Sequence, residues 1–222
     1  MRYLDLLTAL FATVLLVSNV ASTKLVVLGP FTFDGGTLLF PLAYIFGDVL
    51  TEVYGYRKSR RVIWIGFFAL LLATLTFQAV AHLPAPPDAE SQRFGEAFGL
   101  LLGLTPRIVL GSLLAYFLGD FANAYVLAKL KVRTEGRFFW LRALASTLVG
   151  QGLDTGVFLL VAFYGVFPKE VLLAVFLSNY AFKLGVEALM LPFTYAVVGF
   201  LKRAEGMDAY DRDTDFNPFR LT

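Results

Sequence analysis

The sequence contains no cysteine, and His82 is its single histidine. Without cysteine the chain cannot form disulfides, thiolate nucleophiles or thiol metal sites. One histidine is also too few for a histidine-based metal site. We therefore expect no catalytic residue of these types, no metal site and no cofactor.

Charged residues are scarce as well. They make up 16% of the 222 residues, whereas soluble domains contain about 25%. Hydrophobic residues reach 58%, and the mean hydropathy is +0.69. These values predict an integral membrane protein, and the length suits one compact domain over residues 1–222 better than two domains. The net charge of +2 gives no indication of a nucleic-acid partner, and we expect none.

The hydropathy pattern predicts an all-α membrane protein with six transmembrane helices. A helix needs about 20 mostly apolar residues to cross a bilayer. Six segments meet this length, at approximately 4–22, 36–55, 61–81, 106–129, 138–166 and 171–200. Asp5 interrupts the positive region that a signal peptide would need, so we expect the first segment to remain as an uncleaved span.

Basic residues in the connecting segments predict the orientation. Three alternate connections are rich in them: Arg57, Lys58, Arg60 and Arg61; then Lys129, Lys131, Arg133 and Arg137; then Lys202 and Arg203. The positive-inside rule places such segments in the cytoplasm. The prediction is a multi-pass membrane protein with both termini cytoplasmic.

Two connections have features of their own. Between the first two spans, Gly29-Pro30 lies between short apolar runs, which indicates a short hairpin on the outer face. In the long connection around residues 82–105, the part from Phe94 to Gly103 is typical of a short helix at the membrane interface.

The predicted spans contain many polar residues. They are Asp48 and Glu52 in the second span, Asp120 and Asn123 in the fourth, Gln151 and Asp154 in the fifth, and Asn179, Lys183 and Glu187 in the sixth. Each set is spaced by three or four residues and so forms a stripe on one helix face. Because lipid does not accept such groups, the stripes should face each other or a wet cavity. Polar residues that only hold helices together are the alternative. In that case Lys183 pairs with Glu187, and Glu52 reaches Arg57 or Arg60.

A seven-residue pattern occurs twice, as Leu42–Asp48 and as Leu114–Asp120. The predicted topology puts both copies on helices that run in the same direction, at similar depth. Asp48 and Asp120 are therefore expected to form a paired structural or gating element. Glycines beside the acids, such as Gly119 and Gly150, permit close helix approach or local bending.

Carboxylates match ligands that are rich in N–H donors, and a guanine-like edge offers two donors side by side. We assign Asp120, Asp154 and Glu187 to such a donor edge. The groups expected to bind a ring carbonyl are Asn123, Gln151, Asn179 and Lys183. Tyr44 and Tyr116 could stack on a flat ring. Asp48 and Glu52 are assigned to gating or to structure, and a cation or an amine remains an alternative ligand.

The segment FPLAYIFGDVLTEVYGY, from Phe40 to Tyr56, resembles the signature of the queuosine-precursor transporter family, also called the vitamin uptake transporter family. RRVIW from Arg60 to Trp64 and YDRDTDFNPF from Tyr210 to Phe219 are also similar to it. The resemblance covers nearly the whole chain. It implies an inner-membrane importer of 7-deazapurines, such as 7-cyano-7-deazaguanine, which are salvaged for queuosine in transfer RNA.

Other classes of protein remain as alternatives. The chain could be the substrate-binding subunit of an ATPase-driven transporter for a vitamin or nucleobase. It has no Walker motif, so the ATPase would have to be a separate chain. The first span lacks the Ala-x-x-x-Ala pattern that would favour this reading. A membrane enzyme is disfavoured, because the sequence has no nucleophile motif and no dense cluster of acids. Proton coupling, uncoupled entry with trapping, and an external ATPase are all compatible with the sequence, and so is any oligomeric state.

Overall fold

Helices dominate the computed structural model, which describes residues 1–28, 31–103 and 106–220. Within these ranges the elements are α1 (Leu4–Ala21), β1 (Leu25–Leu28), β2 (Phe31–Asp34), a 3-10 turn (Gly35–Leu38), α2 (Phe40–Tyr54), α3 (Tyr56–Ala81), α4 (Ala89–Leu102), α5 (Pro106–Arg133), α6 (Phe139–Phe163) and α7 (Lys169–Glu205). The predicted all-α class is confirmed, with one small hairpin added.

Five helices are long and apolar enough to cross a membrane: α1, α3, α5, α6 and α7. They match five of the six predicted spans. The predicted second span, 36–55, is divided between the 3-10 turn and α2. With 15 residues, α2 is about 22 Å long, whereas the hydrocarbon core is about 30 Å thick. A sixth crossing therefore stays a prediction.

The hairpin lies between α1 and α2. Strands β1 and β2 are antiparallel, with Leu25 opposite Asp34 and Leu28 opposite Phe31. The predicted turn residues, Gly29 and Pro30, lie outside the described residues. The backbone N–H of Gly35 donates to the Lys24 carbonyl oxygen at 2.8 Å, which closes the open end of the hairpin.

The predicted interfacial helix is α4, which begins earlier than expected. Asp88 caps it by accepting a hydrogen bond from the backbone N–H of Ser91 at 2.9 Å. An N-cap of this kind satisfies a helix N–H that has no partner within the helix. No residue of α4 is buried in the bundle, as expected for a surface helix.

Gly55 alone separates α2 from α3. Its φ of +81° is a backbone conformation that glycine adopts without strain. A Cβ atom here would lie 3.1 Å from the Ala209 Cβ and 3.2 Å from an Asp211 carboxylate oxygen. Glycine therefore allows both the sharp turn and the close approach of the C-terminal segment.

Helices α5 and α6 pack closely along a seam of glycines. A Cβ atom on Gly119 would lie 2.8 Å from the Asp154 Cβ, and one on Gly150 would lie 2.8 Å from the Asn123 Cβ. Small residues let helix backbones approach in this way. The seam fixes the polar residues of α5 and α6 beside each other, and α6 runs unbroken through Gly150.

One end of the bundle gathers the α2–α3 turn, the connection 134–138 and residues 207–220, which we call the tail; we name this the basic end. The tail binds α3 there. The backbone N–H of Tyr56 donates to Asp211 at 2.9 Å, and Arg60 donates to the Asp215 and Asn217 carbonyl oxygens at 2.9 and 2.7 Å. The backbone N–H of Arg2 donates to Glu205 at 3.0 Å, so the N-terminus is here too. The apolar core, which includes Val49, Val53, Leu127, Ala143 and Leu201, is close by.

Candidate functional site

Polar side chains from four helices meet inside the bundle. Asp48 of α2, Gln151 of α6 and Glu187 of α7 are 2%, 8% and 4% exposed, and Asn123 of α5 is half-buried. Gln151 lies at the centre of α6, and Glu187 lies at the centre of α7. We call these four residues the central layer. One residue from each of the four predicted stripes thus faces the interior.

Contacts between helices hold the central layer together. The Asn123 amide hydrogen-bonds the Asp48 carboxylate, which connects α5 to α2. Thr147 Oγ1 donates to Glu187 Oε1 at 2.5 Å, which connects α6 to α7. Gln151 follows Thr147 by one helical turn on the same face of α6, so it lies beside this contact.

Each residue of the central layer keeps one buried oxygen without a hydrogen-bond partner among the described residues. The four atoms are Asp48 Oδ1, Asn123 Oδ1, Gln151 Oε1 and Glu187 Oε2. A buried polar atom left in this way costs about 1–3 kcal/mol. All four are acceptors. The layer is therefore suited to a ligand that presents several N–H or O–H donors.

A second polar group lies next to the central layer. Lys183 Nζ donates to Asp154 Oδ2 at 2.9 Å and to Thr155 Oγ1 at 3.4 Å. Asp120 lies within electrostatic reach of both Asp154 and Lys183. This ion pair joins α6 to α7. The alternative in which Lys183 pairs with Glu187 is wrong, because Glu187 contacts Thr147 and the ammonium group turns to Asp154.

The remaining candidates for substrate contact are placed differently. Asn179 is exposed, although its stripe was predicted to face inward, because the first half of α7 leaves most side chains outside the bundle. Tyr116 is buried, and its hydroxyl donates to the Ile63 carbonyl oxygen at 2.9 Å. Its ring is thereby fixed against α3. Tyr44 is half-buried on α2, one turn before Asp48.

The two aspartates of the repeated pattern have different neighbours. Asp48 contacts Asn123 and is close to Glu187 and Glu52. Asp120 belongs instead with Asp154 and Lys183. The predicted pairing of the two repeats is not what the contacts show, since each aspartate joins a different part of the polar interior.

Glu52 lies at the basic end in a buried cluster of charges. Arg142 Nη1 donates to Glu52 Oε2 at 2.5 Å, Arg142 Nη2 donates to Oε1 at 3.2 Å, and Lys202 Nζ donates to Oε1 at 2.7 Å. Lys131 Nζ is 3.5 Å from Oε1. Asp208 accepts hydrogen bonds from Lys131 and Lys202. We call these five residues the Glu52 cluster.

Two sequence interpretations are corrected by this cluster. Glu52 does not reach Arg57 or Arg60, since Arg57 is exposed and Arg60 binds the tail. Arg142, which is fully buried, was missed as a partner. Its signal was present, because Arg142 falls inside the predicted fifth span, where an unpaired guanidinium is unfavourable.

Asp208 lies outside the spanning helices and shows the electrostatics of this end. Burial raises its pKa, but the hydrogen bonds from Lys131 and Lys202 outweigh burial and hold the pKa below its ordinary value. Asp208 therefore stays ionised and connects the tail to α5 and α7.

The interior is nearly closed. A cavity of about 20 Å³ is lined by Gly47, Thr51, Asp120 and Asn123 among others. It can hold about one water molecule, and a bicyclic base is far larger. A wider cavity of about 110 Å³ lies between α1, α3 and α4, with mostly apolar lining. We place the site at the polar groups, because the donors and acceptors of a polar ligand need partners there.

Comparisons with known proteins agree over most of the chain. The family model described as "Putative vitamin uptake transporter" matches residues 34–197. A "Probable queuosine precursor transporter" of Bacillus subtilis is 36% identical over 188 residues, which cover 84% of this chain and 80% of that protein. The "Queuosine precursor transporter" of Escherichia coli is 27% identical over 168 residues, covering 73% and 71%. No solved structure gives a significant match.

Proposed function

Because the chain belongs to the vitamin uptake transporter family, we propose that it imports a queuosine precursor, 7-cyano-7-deazaguanine or a related 7-deazapurine, across the cell inner membrane. The names of its relatives support this substrate class. They are transporters by name, which also supports a function without catalysis.

One observation carries the proposal: the central layer offers four buried acceptors that have no partner among the described residues. A guanine-like edge supplies a ring N–H and an exocyclic amine side by side. Glu187 Oε2 and Gln151 Oε1, on neighbouring helices, suit these two donors, and Asn123 Oδ1 suits a further N–H. The acceptor excess therefore complements the donor edge of the proposed substrate.

The group around Lys183 suits the opposite polarity. The Lys183 ammonium group is a donor that contacts Asp154 and Thr155. We assign it to the ring carbonyl of the substrate, in exchange for one of its present contacts, while Asp154 and Asp120 balance its charge. Tyr44 remains a candidate for stacking. Asn179 and Tyr116 have no direct role in this proposal, since one is exposed and the other is fixed against α3.

Transport then proceeds by alternating access. The cavity beside Asp120 and Asn123 is too small for a base, so substrate entry requires the helices around it to separate. The tail and the Glu52 cluster hold α2, α3, α5 and α7 together at the basic end. We assign this end to the cytoplasmic gate.

For the topology we propose six crossings, with α2 and the preceding 3-10 turn as the second, and both termini in the cytoplasm. The basic connections share one end of the bundle, as the positive-inside rule requires. The chain lacks cysteine, so single cysteines can report sidedness. Lys58→Cys should react with an impermeant maleimide only in inverted vesicles, and Val166→Cys only in intact cells. The opposite pattern would refute the orientation.

The function is tested in a host that can neither make the precursor nor import it. Expression of the chain should restore queuosine in transfer RNA at low external 7-cyano-7-deazaguanine, measured by mass spectrometry of tRNA nucleosides. Asp154→Asn and Glu187→Gln should each reduce the restoration. Leu173→Met, on the exposed face of α7, serves as the control. Absence of any restoration by the wild-type chain, at confirmed expression in the membrane, would reject the proposed function.

A further inference from the structure

The buried carboxylates of the bundle are unequally balanced by cations. Asp48, Glu52 and Glu187 lie on the facing helices α2 and α7, and each is nearly inaccessible. Glu52 has Arg142, Lys202 and Lys131 within 4.0 Å. In the described part of the chain, neither Asp48 nor Glu187 has a cation within that distance.

The groups around Asp48 do not supply the missing charge. Glu187 faces it from α7, Glu52 lies one turn further along α2, and Asn123 faces it from α5. Arg142 of α6 is a cation within electrostatic reach of Asp48. Both terminal nitrogens of Arg142 are bound to Glu52, so its charge is already balanced.

Glu187 is in a similar position. Thr147 Oγ1 of α6 occupies its Oε1, and Oε2 has no hydrogen-bond partner among the described residues. On the facing helix α2, Asp48 Oδ1 also has no hydrogen-bond partner among the described residues. Two nearby carboxylates in a buried site without a cation partner are strongly disfavoured when both are ionised. A proton held by one of them removes this repulsion and supplies a donor for an acceptor that otherwise has none.

We propose that Asp48 and Glu187 form the proton-binding carboxyl pair that couples substrate import to the inward movement of one proton. This inference rests on the proposed function and adds its driving force. Glu187 also faces the substrate, so N–H donors of the base favour ionised Glu187 and leave the proton on Asp48. With the substrate bound and the proton absent, two negative charges oppose closure of α2 against α7. The substrate-loaded transporter therefore closes and reopens only with the proton bound, and net import of one proton per substrate requires that the empty transporter returns with neither.

The test uses the purified chain in proteoliposomes with labelled 7-cyano-7-deazaguanine. Counterflow at equal pH on both sides measures binding and translocation without a driving force. Accumulation under a gradient of one pH unit, alkaline inside, measures coupling, and one proton per substrate supports about tenfold accumulation. A pH dye inside the vesicles should report acidification when substrate is added outside.

Substitutions in the carboxyl pair should affect coupling, measured by accumulation and acidification, differently from counterflow. Asp48→Asn should lose accumulation and acidification by a larger factor than it loses counterflow, and Asp48→Glu should recover both. Glu187→Gln should lose coupling and bind substrate more weakly. Asp5→Asn, an exposed carboxylate in the first turn of α1, should behave as wild type. Where Asp48→Asn does not fold, the acidification by wild-type protein decides the question.

Different failures are distinguishable. Counterflow by the wild type without accumulation or acidification under the proton gradient overturns the coupling and leaves the importer intact. Accumulation driven by a sodium gradient instead also overturns it. Accumulation that persists in Asp48→Asn and Glu187→Gln shows that the proton binds elsewhere. Absence of counterflow in the wild type rejects the proposed function and, with it, the coupling.

Discussion

The Glu52 cluster and the central layer both take residues from α2, α5, α6 and α7, and their α2 carboxylates, Glu52 and Asp48, are both buried. Asp48 and Glu52 lie one turn apart on the same face of α2. Glu52 has both carboxylate oxygens bound to cations, whereas Asp48 keeps one oxygen without a partner among the described residues. Residue type and burial are thus alike, and the partners alone separate a structural site from a candidate binding site.

The difference has an energetic meaning. A buried ion pair whose hydrogen bonds are all made is costly to break, because removing one partner leaves a charge uncompensated. A buried acceptor without a partner is a standing cost of about 1–3 kcal/mol that a ligand can remove. We therefore expect substitutions in the Glu52 cluster to affect stability first, and substitutions in the central layer to affect transport first.

Arg142→Met should have the largest effect. It removes the bidentate partner of Glu52 and the hydrogen bonds from Arg142 to the Arg137 and Gly136 carbonyl oxygens. Because Lys202 and Lys131 still face Glu52, the loss should be about 3 kcal/mol, the lower end of the cost of breaking a buried ion pair. Thermal unfolding in detergent is measured as the fraction of monodisperse protein that remains after heating. Arg137→Met, an exposed arginine nearby, is the control. The double variant Glu52→Gln/Arg142→Met should regain part of the loss, and a single variant that unfolds like wild type would contradict the prediction.

Gly150→Ala tests the seam that supports the central layer. Its new Cβ would lie 2.8 Å from the Asn123 Cβ and 2.9 Å from the Gly119 carbonyl oxygen, and such overpacking costs about 1–3 kcal/mol. Gly185→Ala is the matched control, since a Cβ there meets nothing within 4 Å. Equal melting temperatures for the two variants would mean that α5 and α6 do not pack as closely as described.

Gln151→Leu tests the central layer itself. It removes one of the buried acceptors, so uptake should fall about tenfold, which corresponds to about 1.4 kcal/mol of lost substrate interaction. Stability should be unchanged or higher, because an apolar side chain replaces a buried polar atom that lacks a partner. Initial uptake rates and melting temperatures are measured together, with Leu153→Met on the exposed face of α6 as the control. A loss of stability would place Gln151 with the structural residues.

The smallest effect concerns pH at the basic end. The pKa of Asp208 is lowered in the folded chain. Ionised Asp208 therefore stabilises the folded state above the ordinary carboxyl pKa of about 3.9, and this stabilisation is lost as the pH falls through the lower pKa of the folded state. Trp64, whose Nε1 donates to the Pro218 carbonyl oxygen at 2.8 Å, reports release of the tail. In a Trp140→Phe background its emission should change below about pH 4.

Asp208→Asn should show the released emission already at neutral pH. If the Trp64 emission of this variant still changes at acidic pH, we attribute that change to protonation of Asp215. The pKa of Asp215 is also lowered, because its carboxylate accepts hydrogen bonds from the Asn217 backbone N–H and from Arg220. An unchanged neutral-pH spectrum in Asp208→Asn would show that the tail does not depend on this contact.

Much of the fold was predictable, because a bilayer imposes a strong rule on sequence. Long apolar runs gave five helices with bounds close to those predicted, and the three-to-four-residue spacing put Asp48, Asn123, Gln151 and Glu187 inside. The second span was harder, since its first residues form a 3-10 turn at Gly35–Leu38 and only the rest form α2. Asn179 was misplaced, because spacing shows that residues share a face and not which face is covered.

The class of protein, five of the helices, the polar stripes and the family follow from local composition, periodicity and motifs, so they could be predicted before folding was considered. Which charges pair with each other could be seen only in the folded bundle. Lys183 pairs with Asp154 from another helix, Glu52 pairs with Arg142, and Asp48 and Glu187 keep acceptors without partners in the described chain. Pairing depends on distances between helices that are far apart in sequence, and those distances arise from packing, here from the close α5–α6 seam and the tail at the basic end.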